Sequence, residues 1–265
     1  NVNAAAGSVT TVVRPLVEFP DRSTLTDSKV NDVISSLESF NEEPINGDTT
    51  LPSAEEIRRR TIDHFATQNR AVTQLDYESL VYSMPDKFGS IKRCRIIRDP
   101  DSLRRNLNLY VLSENSSGKL TSTNTTIKEN IKTWLNRNKM ISDTIDILDA
   151  KIVNIGIEFE VIADEEANRY QLLTNCVQAV KDLFVVTPFI GEPFYLTDIY
   201  SALNGVDGVV DTKRVNVVRK TGGNYSTTKF DLDDALSADG RYLSVPLNVA
   251  VEIKFPDTDI KGAVS

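Results

Sequence analysis

The chain has 265 residues, enough for two or three small domains, and 40% of them are hydrophobic, enough to support real cores. Lys and Arg number 30 against 38 Asp and Glu, and the formal net charge of −8 argues against a general nucleic-acid binder. A single histidine and two distant cysteines with no CxxC exclude a His-rich or Cys-rich zinc site, and no apolar run reaches the roughly 18 residues of a membrane helix. Cys94 and Cys176 read as reduced thiols of a cytosolic protein. No secretory leader is legible; the chain opens at Asn1 with NVNAAAGSVTTVV, and we expect a portion of a longer protein.

Residues 1–20 carry an extended pattern (Val9, Val12, Val13, Leu16, Val17, Phe19) punctuated by Pro15 and Pro20, suited to an edge strand or arm. Val30, Val33, Ile34, Leu37 and Phe40 predict a short helix, and 41–52 reads as a loop. Ser53 with Glu56 predicts a capping box for a helix through Ile57, Thr61, Ile62 and Phe65, supported by Glu55–Arg59 and Glu56–Arg60 at i,i+4. Thr73 with Asp76 predicts a second box, with Val72 and Tyr77 placed for a hydrophobic staple; Pro85 stops that helix and Gly89 turns the chain. Strands follow at 91–98, with Cys94 and Ile96 on one face, and at Leu107, Leu109 and Val111, joined by a hairpin or crossover.

Residues 113–125 read as a polar loop, and Thr126 with Glu129 as the start of a helix whose stripe includes Ile127, Ile131, Trp134 and Leu135. Trp134, at core spacing, reads as a packing residue. Residues 155–162 alternate as a strand with one buried and one mostly polar face. The longest helix is expected over 164–184, followed by an elbow at 187–193 with Pro188, Gly191 and Pro193. Thr197 reads as the cap of a short helix ending at Gly205, Gly208 leads into a strand at 212–219, and 220–241 reads as a long polar excursion. The last strand is expected through Val249, Val251, Ile253 and Phe255, with a short polar tail after Pro256. This order predicts an α+β protein of successive α/β units, each a small, mainly antiparallel sheet covered by helices: an extended arm and short helix over 1–52, a first unit over 53–148 and a second over 149–265.

No residue set carries convincing chemistry. His64 has no nucleophile elbow to serve. Glu158 and Glu160 share one strand face and could act as an acid/base pair if enclosed, but read as solvent-facing, as do Glu252 and Lys254. The basic runs Arg58–Arg60 and Lys92, Arg93, Arg95 read as a mixed solvated face. The stretch 231–240 lacks calcium-loop spacing, and 221–224 lacks the phosphate-loop lysine.

The phrase RAVTQLDYESLVYSMP, preceded by LPSAEEIRRRTIDHFATQN, resembles the baseplate J-like family of contractile phage tails. The residues that carry it are Ser53, Glu55, Arg58, Arg59, Arg70, Ala71, Val72, Thr73, Asp76 and Tyr77, and a looser match at Gly191, Leu196, Ile199, Leu203, Val206, Gly208, Val209 and Asp211 extends it over roughly 45–220. The polar insertions and the length after residue 220 look more like the C-terminal portion of the long wedge proteins of T4-like baseplates. The resemblance implies a mechanical role without catalysis or cofactor. It implies a virion component, assembled in the host cytoplasm, that pairs with itself and meets neighbouring wedge subunits in a ring around the central hub. Interface candidates are then Val9, Val12, Leu16 and Phe19 on the arm and Phe189, Phe194 and Tyr195 at the elbow, where aromatic rings sit between prolines. Two other readings stay open: a carbohydrate- or receptor-binding tail domain, and a hydrolase using Glu158 and Glu160.

Overall fold

A computed structural model of the chain describes residues 10–13, 17, 19, 25–40, 52–67, 70–99, 106–115 and 117–265. It resolves them into two helix-covered four-stranded sheets, each with its own apolar core, and a small two-stranded one, an α+β arrangement of successive units.

Ahead of the first unit, α1 (Asp27–Ser35) buries only Val30, and the unit itself opens with α2 (Ala54–Thr67). The Ser53 hydroxyl accepts from the Glu56 N–H as expected, but the Glu56 carboxylate turns to Arg60 and Arg93 rather than back to the cap. In α3 (Gln74–Tyr82) the box is complete: Thr73 accepts from the Asp76 N–H, and Asp76 accepts from the N–H groups of Thr73 and Val72. Val72 itself is exposed, so the expected staple does not form; Ala71 is buried in its place. After Pro85 a 3-10 turn (Asp86–Phe88) leads to Gly89 at φ 102°, where a Cβ would lie 2.7 Å from Ile127 Cγ1. Only glycine satisfies both the dihedral and the contact.

The strand β1 (Arg93–Arg98) pairs antiparallel with β2 (Asn106–Glu114), setting Cys94 opposite Val111 and Ile96 opposite Leu109. Two elements depart from expectation. The polar stretch after β2 contains β3 (Leu120–Thr121), antiparallel to β2, and β4 (Thr144–Asp149) pairs parallel with β2. The helix between them, α4 (Thr125–Leu135), is capped by Asn124, whose side chain accepts from the Thr126 N–H, so Thr126 is not the cap. Leu80, Ile96, Leu109, Ile127, Ile131 and Leu135 form the core.

The second unit is built on β5 (Lys151–Ala163). Residues 153–157 are buried consecutively, not alternately, so the expected polar face exists only in the later half of the strand. The cause is a crowded neighbourhood. Three strands pair with β5, the Ser226 N–H donates to Asn154 Oδ1, and Lys220 and the Asp259 carbonyl crowd Gly156. Helix α5 (Arg169–Leu183) starts later than expected because Asn168 caps it, accepting from the Tyr170 and Gln171 N–H groups. Then come β6 (Phe194–Tyr195), α6 (Leu196–Asn204), whose N-cap is Tyr195 and not Thr197, and β7 (Val209–Arg219), antiparallel to β5.

Within the polar excursion α7 (Leu232–Ala235) is capped by Asp231, and β8 (Tyr242–Leu243) pairs with β6. β9 (Val249–Glu252) is parallel to the first residues of β5 and ends before Ile253. The expected polar tail is instead α8 (Pro256–Asp259) and β10 (Ile260–Val264), a further strand parallel to β5. Both four-stranded sheets are therefore mixed, with parallel pairings β2–β4, β5–β9 and β5–β10 beside the antiparallel ones. A small apolar cluster of Leu112, Leu120, Ala150, Ile190 and Ala250 joins the two units.

Candidate interaction surface at the seam of the two sheets

The sequence places Arg93 on a solvated basic face, and the structure overturns this: Arg93 is 1% exposed. Strand alternation turns Arg93 and Arg95 away from the core that takes Cys94 and Ile96, and the elbow of the second unit covers that side. Arg93 Nη1 donates to Glu56 Oε1 at 2.6 Å and to the Lys92 carbonyl at 3.1 Å, while Nε and Nη2 donate to the Thr187 carbonyl at 3.1 and 2.5 Å. Its guanidinium carbon lies 4.4 Å from the Phe189 ring centroid, and that of Arg59 lies 4.2 Å from the same ring. Arg95 Nη1 donates to the Ile190 carbonyl at 2.9 Å. Two arginines of one strand thus hold the backbone of 187–190 with charge-assisted bonds, where a lysine could offer only a point charge.

Beside this clasp runs an open groove of about 1060 Å³, walled by α2 and α3, floored by β1 and closed by the elbow from Phe189 to Pro193. Arg59, Arg60, Arg95 and Arg98 line it, together with Asp63, Glu78 and Glu192. β1 is an edge strand, and α3 blunts its free side: the Cys94 N–H donates to Tyr82 Oη at 3.0 Å and the Ile96 N–H to Glu78 Oε1 at 3.1 Å. Burial pushes the Glu78 carboxyl, the Tyr82 hydroxyl and the Cys94 thiol above their ordinary pKa values. A thiol so disfavoured as thiolate is no nucleophile.

Of the interface candidates, Val9 and Leu16 lie outside the described residues. Val12 is 37% exposed and Phe19 half-buried. Phe189 is the ring held between Arg59 and Arg93. Phe194 stacks on Phe184 at 5.3 Å within the second core, so its ring is used internally. Tyr195 is 48% exposed, with its ring 6.0 Å from Tyr242. The clasp and groove bring Phe189 together with α2 and β1, and leave Phe194 and Tyr195 outside them.

The other sequence-singled residues are dispersed. Glu158 and Glu160 are half-buried. Glu160 is paired with Lys213 at 2.7 Å, and Glu158 stands in register between Asn216 and Lys261, so the pair is not enclosed as acid/base chemistry requires. His64 is exposed on α2. Trp134 is half-buried, its Nε1–H donating to the Leu80 carbonyl at 2.8 Å, a packing role. Glu252, expected to face solvent, is 8% exposed and accepts from the Leu120 N–H at 2.8 Å and from Asn154 Nδ2 at 2.9 Å. Its strand meets the first unit there, a contact that the local alternation of β9 does not encode. Among the described residues no group of three or more His, Cys, Asp and Glu is placed to hold a metal, and no helix is long and apolar enough to cross a membrane.

No protein-family model matches the sequence, and no curated protein matches it. Among solved structures, the chain is similar to a chain of the anti-feeding prophage (AFP) baseplate, determined by cryo-EM and six-fold symmetrised, with a TM-score of 0.44 and 11% identity. That similarity covers 82% of this chain, which spans 44% of the length of the other.

Proposed function

We propose that this chain is a structural component of a contractile-tail baseplate, located in the virion tail, which associates with itself and with neighbouring wedge subunits in a ring around the hub. The observation that carries the reading is the resemblance of the 53–77 region to the baseplate J-like family. Its residues have structural work in this fold. Ala71 is buried, Thr73 and Asp76 start α3, and the buried Tyr77 donates its hydroxyl to Asp143 at 2.8 Å. Ser53 caps the Glu56 N–H, and Arg59 covers Phe189. A phrase used to orient helices on a sheet fits a scaffold better than a site for turnover. The arm residues Val12 and Phe19 and the exposed Tyr195 remain the proposed self-association contacts.

Light scattering over a concentration series tests this. A stable species of about twice the 29.5 kDa chain mass supports self-association, and a strict monomer at high concentration counts against it.

A further inference from the structure

We propose that the outer face of α2 is a self-pairing surface, on which a second copy of this chain lays its own α2 antiparallel about a two-fold axis at Thr61. This rests on the self-association proposed above and not on the baseplate assignment. The sequence marks the helix by Ile57, Thr61, Ile62 and Phe65, the residues a core would take. The structure turns the helix the other way. Its only buried residues are Glu56 and Thr67. The side toward β1 and the elbow is polar: Glu56 binds Arg93, Arg60 lies over Tyr82, and Arg59 lies over Phe189. Glu56, held at 2.6 Å by the buried Arg93, fixes the rotation of the helix. Ile57, Ile62 and Phe65 are left 51%, 63% and 86% exposed. A helix that turns its charges inward and its large apolar side chains to solvent lacks a cover, because an amphipathic helix is stable with its apolar stripe buried.

The stripe is complementary to itself. Ile57, Thr61 and Phe65 follow at four-residue steps along one side of the helix, so Thr61 lies midway between two large apolar side chains. A two-fold axis at Thr61 sets Ile57 of each copy on Phe65 of the other and brings the two Thr61 residues face to face. The Thr61 hydroxyl donates to the Ile57 carbonyl at 2.8 Å, so the polar group at the centre is satisfied within its own helix and is covered without an unpaired donor. Arg58 and His64 are exposed on the two flanks of the stripe, where they stay in water. Antiparallel packing also sets the positive end of each helix dipole beside the negative end of the other. An unrelated partner would have to bring a matching apolar row, whereas a second copy carries it in register. The three apolar side chains bury on the order of 300 Å² per copy, below the roughly 800 Å² per partner of a standard interface, so the pairing is weak and concentration-dependent.

Cross-linking and light scattering on the whole chain test this. Two helices packed about 8–10 Å apart, each with its Cα atoms about 2.3 Å from the axis, bring facing Cα atoms within about 6 Å, the span of a disulfide. Under mild oxidation Thr61→Cys therefore forms a covalent dimer, and Ala66→Cys, exposed on another side of the same helix, links about tenfold more slowly or less. The native Cys94 and Cys176 are buried and do not compete. Ile57→Ser with Phe65→Ser, at unchanged melting temperature because both side chains are exposed in the single chain, raises the dissociation constant of the dimer by about tenfold or more. A dimer unaffected by the Ile57 and Phe65 changes, or Ala66→Cys linking as fast as Thr61→Cys, overturns this surface and leaves self-association standing. A chain that is monomeric at every concentration, with no Thr61→Cys link, overturns both.

Discussion

Replacing Arg93 with methionine removes the charge from the centre of the seam while keeping most of the side-chain volume. The carboxylate of Glu56, 8% exposed, loses a partner at 2.6 Å, and the Thr187 carbonyl loses both of its arginine donors. Breaking a buried ion pair by removing one partner costs about 3–5 kcal/mol, because the other charge stays desolvated. Glu56 keeps Arg60 at 2.7 Å, on a side chain 28% exposed, which places the carboxylate's share toward the low end. The orphaned carbonyl adds about 1 kcal/mol, giving a loss of about 3–4 kcal/mol. For a chain of this size that is a fall in Tm of roughly 6–16 °C. Urea unfolding followed by Trp134 fluorescence reads the loss directly. Arg93→Lys recovers little of it, since one ammonium lacks the fork that serves Glu56 and Thr187 together. Adding Glu56→Gln to Arg93→Met recovers about 1 kcal/mol or more, because the unpaired charge goes with it. A loss below about 1 kcal/mol for Arg93→Met would show that the clasp is not a stabilising element and refute the reasoning.

Two further outcomes follow from buried contacts elsewhere. Burial raises the pKa of Glu252 above its ordinary 4.5, against the lowering effect of its bonds from the Leu120 N–H and Asn154. The folded state therefore holds this proton more tightly than the unfolded one, and the contribution of Glu252 is best below pH 4.5 and declines as pH rises through the folded pKa. The urea midpoint of the unmodified chain, taken relative to that of Glu252→Gln, should accordingly fall as pH rises above 4.5; a constant or rising difference contradicts the assigned burial. Gly262→Ala in β10 would drive a methyl into the Phe159 ring and to within 2.7 Å of Leu173 Cδ1. The expected cost is about 1–3 kcal/mol by thermal melting, partly relieved by Phe159→Leu in the same chain, and an unchanged melting curve would exclude the close packing of β10 on α5.

What the sequence by itself determined is local. Thr73 and Asp76 lie three residues apart, and the capping box they form needs nothing beyond its own turn, so the start of α3 was legible to the residue, while its end at Tyr82 falls short of the stop expected at Pro85. The alternation of Leu107, Leu109 and Val111 and the stripe of Ile127 and Ile131 likewise follow from periodicity, because a strand or helix exposes its apolar face whatever it later packs against. Tertiary structure decided wherever two distant segments compete for the same group. Glu56 had a local partner in the Ser53 cap and another in Arg60, and Arg93, 37 residues away, took the same carboxylate. Asn124 took the cap expected of Thr126, a choice between neighbours that composition leaves open. The β10 segment has a Gly, a Lys and only short apolar runs, and becomes a strand because β5 offers it a parallel edge. Arg93 and Glu252 both read as surface charges, since alternation says which way a side chain points but not what covers it; the elbow at 187–193 and the loop before Leu120 supply that cover, and with them the desolvation that turns two ordinary charges into the fixed points of the seam.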